Sequence, residues 1–88
     1  MATAVVKFDI IRPGITTLQA KTLYPNDWMV LLTRDEECED EVVGDLIFVG
    51  KEDDISAFTR GRNPGMGYVF YRLRGNNLRE LTPIEVIA

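Results

Sequence analysis

The chain contains no histidine and only one cysteine, Cys38. Without histidine, it lacks the side chain that most often acts as a general base near neutral pH. One cysteine cannot form an internal disulfide, and the acidic run at 35–41 around Cys38 disfavours its reactive thiolate. These shortages argue against hydrolytic chemistry. We therefore expect a protein that is not an enzyme and that holds no cofactor and no metal.

Long hydrophobic runs are also missing. Hydrophobic residues make up 45% of the 88 residues, but no run approaches the roughly 18 to 20 apolar residues of a membrane helix. The first nine residues lack the basic segment and apolar stretch of a secretory signal. We expect one small domain spanning 1–88, no membrane contact and a cytoplasmic location.

The chain does contain short runs of β-branched and aromatic residues. Turn formers such as Pro13-Gly14 and Pro25-Asn26-Asp27 separate these runs. This pattern predicts consecutive strands. We expect them at 4–11, 16–23, 28–33, 42–49, 55–59, 68–74 and 78–81, with 84–87 forming one more or extending the last. So many short strands favour an all-β fold bent into a closed barrel, because closure removes exposed edges.

Charge is unevenly distributed along the sequence. Ten of the fourteen acidic residues fall between Asp35 and Asp54, and five of the seven arginines follow that segment. The net charge of −4 weakens long-range attraction to nucleic acid, but a local basic patch can still bind phosphate.

The run from Tyr68 to Arg74 carries the most information about function. Alternation along a strand places Val69, Tyr71 and Leu73 on one face and Tyr68, Phe70, Arg72 and Arg74 on the other. Aromatic rings beside guanidinium groups suit the stacking of unpaired bases and contact with phosphates. Alternatively, the rings belong to a second hydrophobic layer or a subunit contact, and the arginines pair with the acidic segment.

Two segments resemble the signatures of the Sm and LSm family. Leu-Arg-Gly-Asn-Asn-Leu at 73–78 is similar to the second signature, and 44–57 can be aligned with the first. The resemblance implies a strongly bent, SH3-type antiparallel barrel with its core at 28–87, to which residues 1–27 would add an N-terminal strand pair. It also implies a homo-oligomeric ring that binds RNA or single-stranded DNA, with no small-molecule substrate.

Site residues follow from the resemblance where the motif matches. Arg74, Gly75 and Asn76 match one wall of the family's nucleotide pocket. The opposite wall differs, because Gly50, Asp53 and Asp54 occupy it. We expect nucleic-acid contacts from Arg74, Gly75 and Asn76, a hydrogen bond from a base edge to Asp54, and further contacts from Arg60, Arg62 and Tyr68.

Two other hypotheses stay open. The acidic segment from Asp35 to Asp54 is also typical of an SH3-like interaction or inhibitory module that docks on a basic protein and does not bind nucleic acid. An enzyme would need a divalent cation at Asp53 and Asp54, although adjacent acids at a turn are more often simply solvated. The loop at 61–67 is rich in glycine but is not followed by a helix pattern that would make it a phosphate loop.

Overall fold

A five-stranded antiparallel sheet with one short helix on each face forms the described part of the chain. The computed structural model describes the backbone of residues 8–34 and 42–84 and the side chains of 8–34 and 42–76. The elements in chain order are β1 (Arg12–Thr16), α1 (Thr17–Leu23), β2 (Trp28–Arg34), β3 (Val43–Gly50), α2 (Glu52–Thr59), β4 (Tyr68–Arg74) and β5 (Asn77–Ile84).

The strand order is β1-β3-β2-β4-β5, so among the described strands the first and the last form the two edges. Each neighbouring pair is antiparallel. The chain is thus mostly β as expected, but over the described residues the sheet is open, and a closed barrel is not confirmed. A helix on each face, rather than closure of the sheet, covers the apolar side chains.

The core has two layers because successive residues of the central strand β2 point to opposite faces. Met29 and Leu31 pack with Leu46, Leu73 and Ala20 of α1 on one face. On the other face, Val30 packs with Ile47, Phe70 and Ile55 of α2. Burial of this kind contributes roughly 1.5 to 3 kcal/mol per large apolar side chain and is the main force that holds the sheet together.

The strand expected at 16–23 is wrong, because that segment forms α1. Thr16 caps the helix: its Oγ1 accepts a hydrogen bond from the backbone N–H of Gln19 at 3.1 Å, and Gln19 Oε1 accepts one from the Thr16 N–H at 2.9 Å. This reciprocal capping box stabilises a helix start. The predicted N-terminal strand pair is thereby replaced by one strand and one helix.

The strand expected at 55–59 is also wrong, because it lies within α2. Glu52, Asp53 and Asp54 form the first turn of that helix, where carboxylates interact favourably with the helix dipole. Ile55 and Thr59 are one turn apart and buried, and so anchor the helix on the sheet. The acids are therefore helical residues and do not form a polar turn before a strand.

The first strand begins later than expected. Residues 8–11 are not in a strand, and β1 contains the Pro13-Gly14 pair that was expected to form a turn. Proline is tolerated there because β1 is an edge strand. By contrast, the strands expected at 28–33, 42–49, 68–74 and 78–81 are confirmed to within a few residues.

Several expectations lie outside the described residues. They concern the start of the strand at 4–11, the acidic run at 35–41 with Cys38, and the chain after Ile84. Within the described part, neither helix is long and apolar enough to cross a membrane.

Candidate nucleic-acid interface

The alternation expected along β4 is confirmed. Leu73 and Tyr71 pack on the α1 side of the sheet, whereas Phe70 is fully buried on the α2 side. The ring of Phe70 meets that of Phe8 edge to face, with centroids 5.5 Å apart. Phe70 is therefore a core residue, as the alternative interpretation of this strand held, and is not available for stacking on a base.

Arg72 and Arg74 converge on one aromatic ring. They follow Phe70 along β4 and lie on the same face of the sheet. Trp28 of β2 lies directly opposite Arg74 in the antiparallel register. The guanidinium carbon of Arg72 is 5.2 Å from the centre of the Trp28 ring, and that of Arg74 is 5.6 Å away. Both distances are within the range of a cation–π interaction. We call Trp28, Arg72 and Arg74 the Trp28 cluster.

Within residues 8–34 and 42–76, no acidic side chain neutralises the charge of the Trp28 cluster. Among the described residues, neither arginine forms an ion pair. Nε of Arg72 is buried and has no hydrogen-bond partner within that part of the chain. A buried guanidinium N–H without an acceptor is unfavourable, so an acceptor that reached Arg72 would stabilise the cluster. Arg74 itself is exposed.

The turn that follows β4 brings Gly75 and Asn76 next to the loop between α1 and β2. The Gly75 N–H donates a hydrogen bond to the Asp27 carbonyl at 3.0 Å. Nδ2 of Asn76 lies 3.4 Å from Oδ1 of Asn26. Gly75 is buried and Asn76 is exposed. Arg74 and Asn76 can therefore face a ligand, whereas Gly75 fixes the backbone of the turn.

Asp54 lies in the exposed first turn of α2. The helix begins just after Gly50, the register partner of Trp28, so its first turn is at the same end of the sheet as Arg74. The carboxylates of this turn oppose the approach of phosphate. Asp54 lies at the same end of the sheet as Arg74, but it is not in the turn where the resemblance placed it.

Arg62 covers the aromatic side chains of the α2 face. Its guanidinium carbon is 4.4 Å from the ring centre of Phe58 and 5.8 Å from that of Phe8. Its backbone N–H donates to the Thr59 carbonyl just past the end of α2. Arg62 is half-buried, and these contacts give it a structural role. Arg60, by contrast, is exposed at the end of the helix.

Tyr68 is not brought together with Arg74. The two residues occupy opposite ends of β4, about 20 Å apart along an extended strand. Tyr68 is 41% exposed and lies opposite Arg34, whose guanidinium carbon is 6.0 Å from its ring centre. Tyr68 would have to contact a different part of a long ligand.

The described residues contain no group of three or more acidic, histidine or cysteine side chains that could hold a metal ion. Asp53 and Asp54 lie with Glu52 in the exposed first turn of α2.

Trp28 is the site residue that the sequence did not reveal. It is 46 positions from Arg74 and meets it only through the pairing of β2 with β4. A tryptophan at the start of a predicted strand was visible, but the register was not.

Comparisons of the chain with protein families, curated proteins and solved structures gave no match.

Proposed function

We propose that the protein is a non-catalytic binding protein for RNA or single-stranded DNA, which it contacts at the end of the sheet where β4 turns into β5. The convergence of Arg72 and Arg74 on Trp28 is the observation that carries this proposal. Arginine and aromatic side chains together bind single strands by contacting phosphates and stacking on bases. Exposed Asn76 adds hydrogen-bonding groups beside them.

The Sm-like resemblance supports the proposal at one of its two signatures. The segment at 73–78 does form a strand end, a turn and the start of the next strand. The segment at 44–57 begins with β3 but ends in α2. We therefore rest nucleotide contact on Arg74 and Asn76, and we treat Asp54, Arg60, Arg62 and Tyr68 as secondary contacts.

The overall charge sets the expected character of binding. A net charge of −4 opposes long-range attraction to a polyanion, so affinity must come from local contacts. Such contacts release counterions and weaken as salt concentration rises. Binding should therefore be moderate and strongly salt-dependent.

The direct test is fluorescence anisotropy with a labelled, mixed-sequence single-stranded oligonucleotide over a range of salt concentrations. Arg74→Ala should weaken binding by about tenfold, as expected for loss of a hydrogen bond to a charged group. Arg12→Ala is the matched control, because Arg12 is exposed on the edge strand β1. Equal effects of the two variants, or no binding by the wild-type protein, would overturn the proposal.

An acidic interaction module is the second candidate, and the exposed acids Glu52, Asp53 and Asp54 in the first turn of α2 favour it. This function predicts salt-sensitive binding to a basic protein. Neutralising Glu36, Glu37, Glu39 and Asp40 together should weaken such binding, whereas oligonucleotide binding should not fall. The two functions therefore differ in the charge that they require: nucleic-acid binding depends on the arginines, and docking on a basic protein depends on the acidic residues.

Assembly into a homo-oligomeric ring stays a prediction of the resemblance. It requires that the edge strands β1 and β5 pair between copies, and each contains a proline, Pro13 or Pro83, which lacks an N–H donor. Light scattering gives the molar mass in solution directly. A defined multiple of 10.0 kDa would support the ring, and a monomer would exclude it.

A further inference from the structure

We propose that Trp28 positions Arg72 and Arg74 as a clamp for a phosphate group, so that the site recognises the nucleic-acid backbone and not a base. This inference rests on the proposed function and names the chemical group that the site binds. The recognised chemistry is a phosphate oxyanion, whether part of a phosphodiester or free. Trp28 acts through the arginines and is therefore a positioning residue.

The placement of the two guanidinium groups against the Trp28 ring favours a phosphate clamp. Both guanidinium groups lie against the same indole ring, at 5.2 and 5.6 Å from its centre. Arginine bound to a ring in this way keeps its N–H groups at the edge of the guanidinium plane, where they can donate to oxyanions. A base that stacked on the ring would compete with these two cations. The ring therefore serves to hold the arginines.

The charges of Arg72 and Arg74 also favour a phosphate ligand. Arg72 and Arg74 carry like charges that share one ring, and among the described residues no carboxylate pairs with either. Arg72 is half-buried and its Nε has no acceptor in that part of the chain. Partial burial strengthens the interaction of a charge with an arriving counterion. A phosphate between the two guanidinium groups would relieve their repulsion, and guanidinium groups suit phosphate geometry well.

The surroundings of the cluster fit a phosphate better than a larger anionic surface. Arg74 is exposed, and Asn76 follows it two residues later in the turn beside Asn26. The carboxylates of Glu52, Asp53 and Asp54 are at the same end of the sheet. These acids would repel a broad polyanionic face more strongly than a single phosphate group.

The chain provides its own reporter for the test, because Trp28 is the only tryptophan. Tryptophan fluorescence is recorded during titration with three probes: a mixed-sequence single-stranded oligodeoxynucleotide, an abasic oligonucleotide of equal length, and inorganic pyrophosphate. We expect each probe to change Trp28 emission. The abasic strand should bind within about threefold of the base-containing strand, because backbone contacts carry no base information.

Two substitutions of Trp28 then test whether its ring positions the arginines or stacks on a base. Trp28→Leu keeps an apolar side chain but removes the aromatic face, and should weaken binding of both strands and of pyrophosphate by about tenfold and lower the salt dependence. Trp28→Phe retains a ring and should recover most of the binding, measured by anisotropy of a labelled strand. Thermal unfolding of both variants checks that the fold is retained, since Trp28 also packs against the α2-side core.

The outcomes distinguish the clamp from the proposed function. If the abasic strand binds more than tenfold weaker than the base-containing strand, Trp28 stacks on a base and the clamp is wrong, although the function stands. Oligonucleotide binding that is unaffected by a folded Trp28→Leu variant also overturns the clamp. Binding of pyrophosphate without any oligonucleotide binding supports the clamp and overturns the function. No binding of any probe overturns both.

Discussion

Gly75 packs directly against the backbone of Pro25. A Cβ added at Gly75 would lie 2.6 Å from Pro25 Cα and 2.5 Å from the Pro25 carbonyl carbon. Real side chains do not approach a backbone so closely. The contact ties the turn after β4 to the loop between α1 and β2, and so it fixes the position of Arg74 relative to Trp28 at the candidate site.

Gly75→Ala should therefore destabilise the protein by about 3 kcal/mol, as expected for severe overpacking. The loop must move, and the hydrogen bond from the Gly75 N–H to Asp27 is lost. Gly14→Ala is the control: Gly14 has a φ of +56° but nothing within 4 Å of the added Cβ, so its cost is only about 1 to 2 kcal/mol. Urea unfolding measures both. Equal destabilisation would contradict the close approach at Gly75.

Arg62→Ala should lower the free energy of unfolding by about 1 kcal/mol, because it removes the stacking on Phe58 and Phe8 and uncovers part of the aromatic core. Arg60→Ala makes the same charge change at an exposed position nearby and should cost less than about 0.5 kcal/mol. Chemical denaturation of both variants compares them. If Arg62→Ala unfolds at the wild-type denaturant concentration, the stacking has no structural role.

Thr16→Ala should destabilise α1 by about 1 kcal/mol through loss of the capping hydrogen bond from Gln19 N–H. Thr22→Ala in the same helix is the matched control. Thr22 is exposed and its hydroxyl donates to the Leu18 carbonyl within the helix, so replacement by alanine should be neutral or slightly stabilising. Thermal unfolding followed by circular dichroism distinguishes the two. A neutral Thr16→Ala would show that the cap does not stabilise α1.

Asp54→Asn should raise oligonucleotide affinity at low salt, since it removes a negative charge at the same end of the sheet as Arg74. It should also weaken α2 by about 0.3 to 1 kcal/mol, because an acid in the first turn interacts favourably with the helix dipole. Anisotropy and unfolding measurements test the two effects separately. A drop in affinity would contradict the interpretation that the Asp54 carboxylate opposes the approach of phosphate.

The central strands could be predicted because their sequence is consistent at several levels. In β2, β3 and β4, β-branched and aromatic residues alternate or form short apolar runs bounded by turn formers. Local pattern and tertiary burial agree in these strands. Even the two faces of β4 follow from alternation alone.

The helices were missed because threonine, isoleucine and phenylalanine favour strands locally. The signals for helix were present at the segment ends: Thr16 and Gln19 have the spacing of a capping box, and three acids precede Ile55. Both helices are short, seven and eight residues, so their periodicity is weak and packing on the sheet decides their conformation.

The candidate site was only half predictable. Arg74, Gly75 and Asn76 are adjacent in sequence, so any fold keeps them together. Trp28 joins them through strand register, which is set by the sheet as a whole. Tyr68 and Arg74 lie at the two ends of β4, so the extended strand itself keeps them apart.

The most direct test of the account is a map of backbone and indole N–H chemical shifts in the ¹⁵N-labelled protein during titration with a single-stranded oligonucleotide. We expect the largest changes on the Trp28 indole, on Arg72 and Arg74, and on the turn at Asn76. Changes centred on Arg34 and Tyr68 at the other end of β4, or no changes at all, would contradict it.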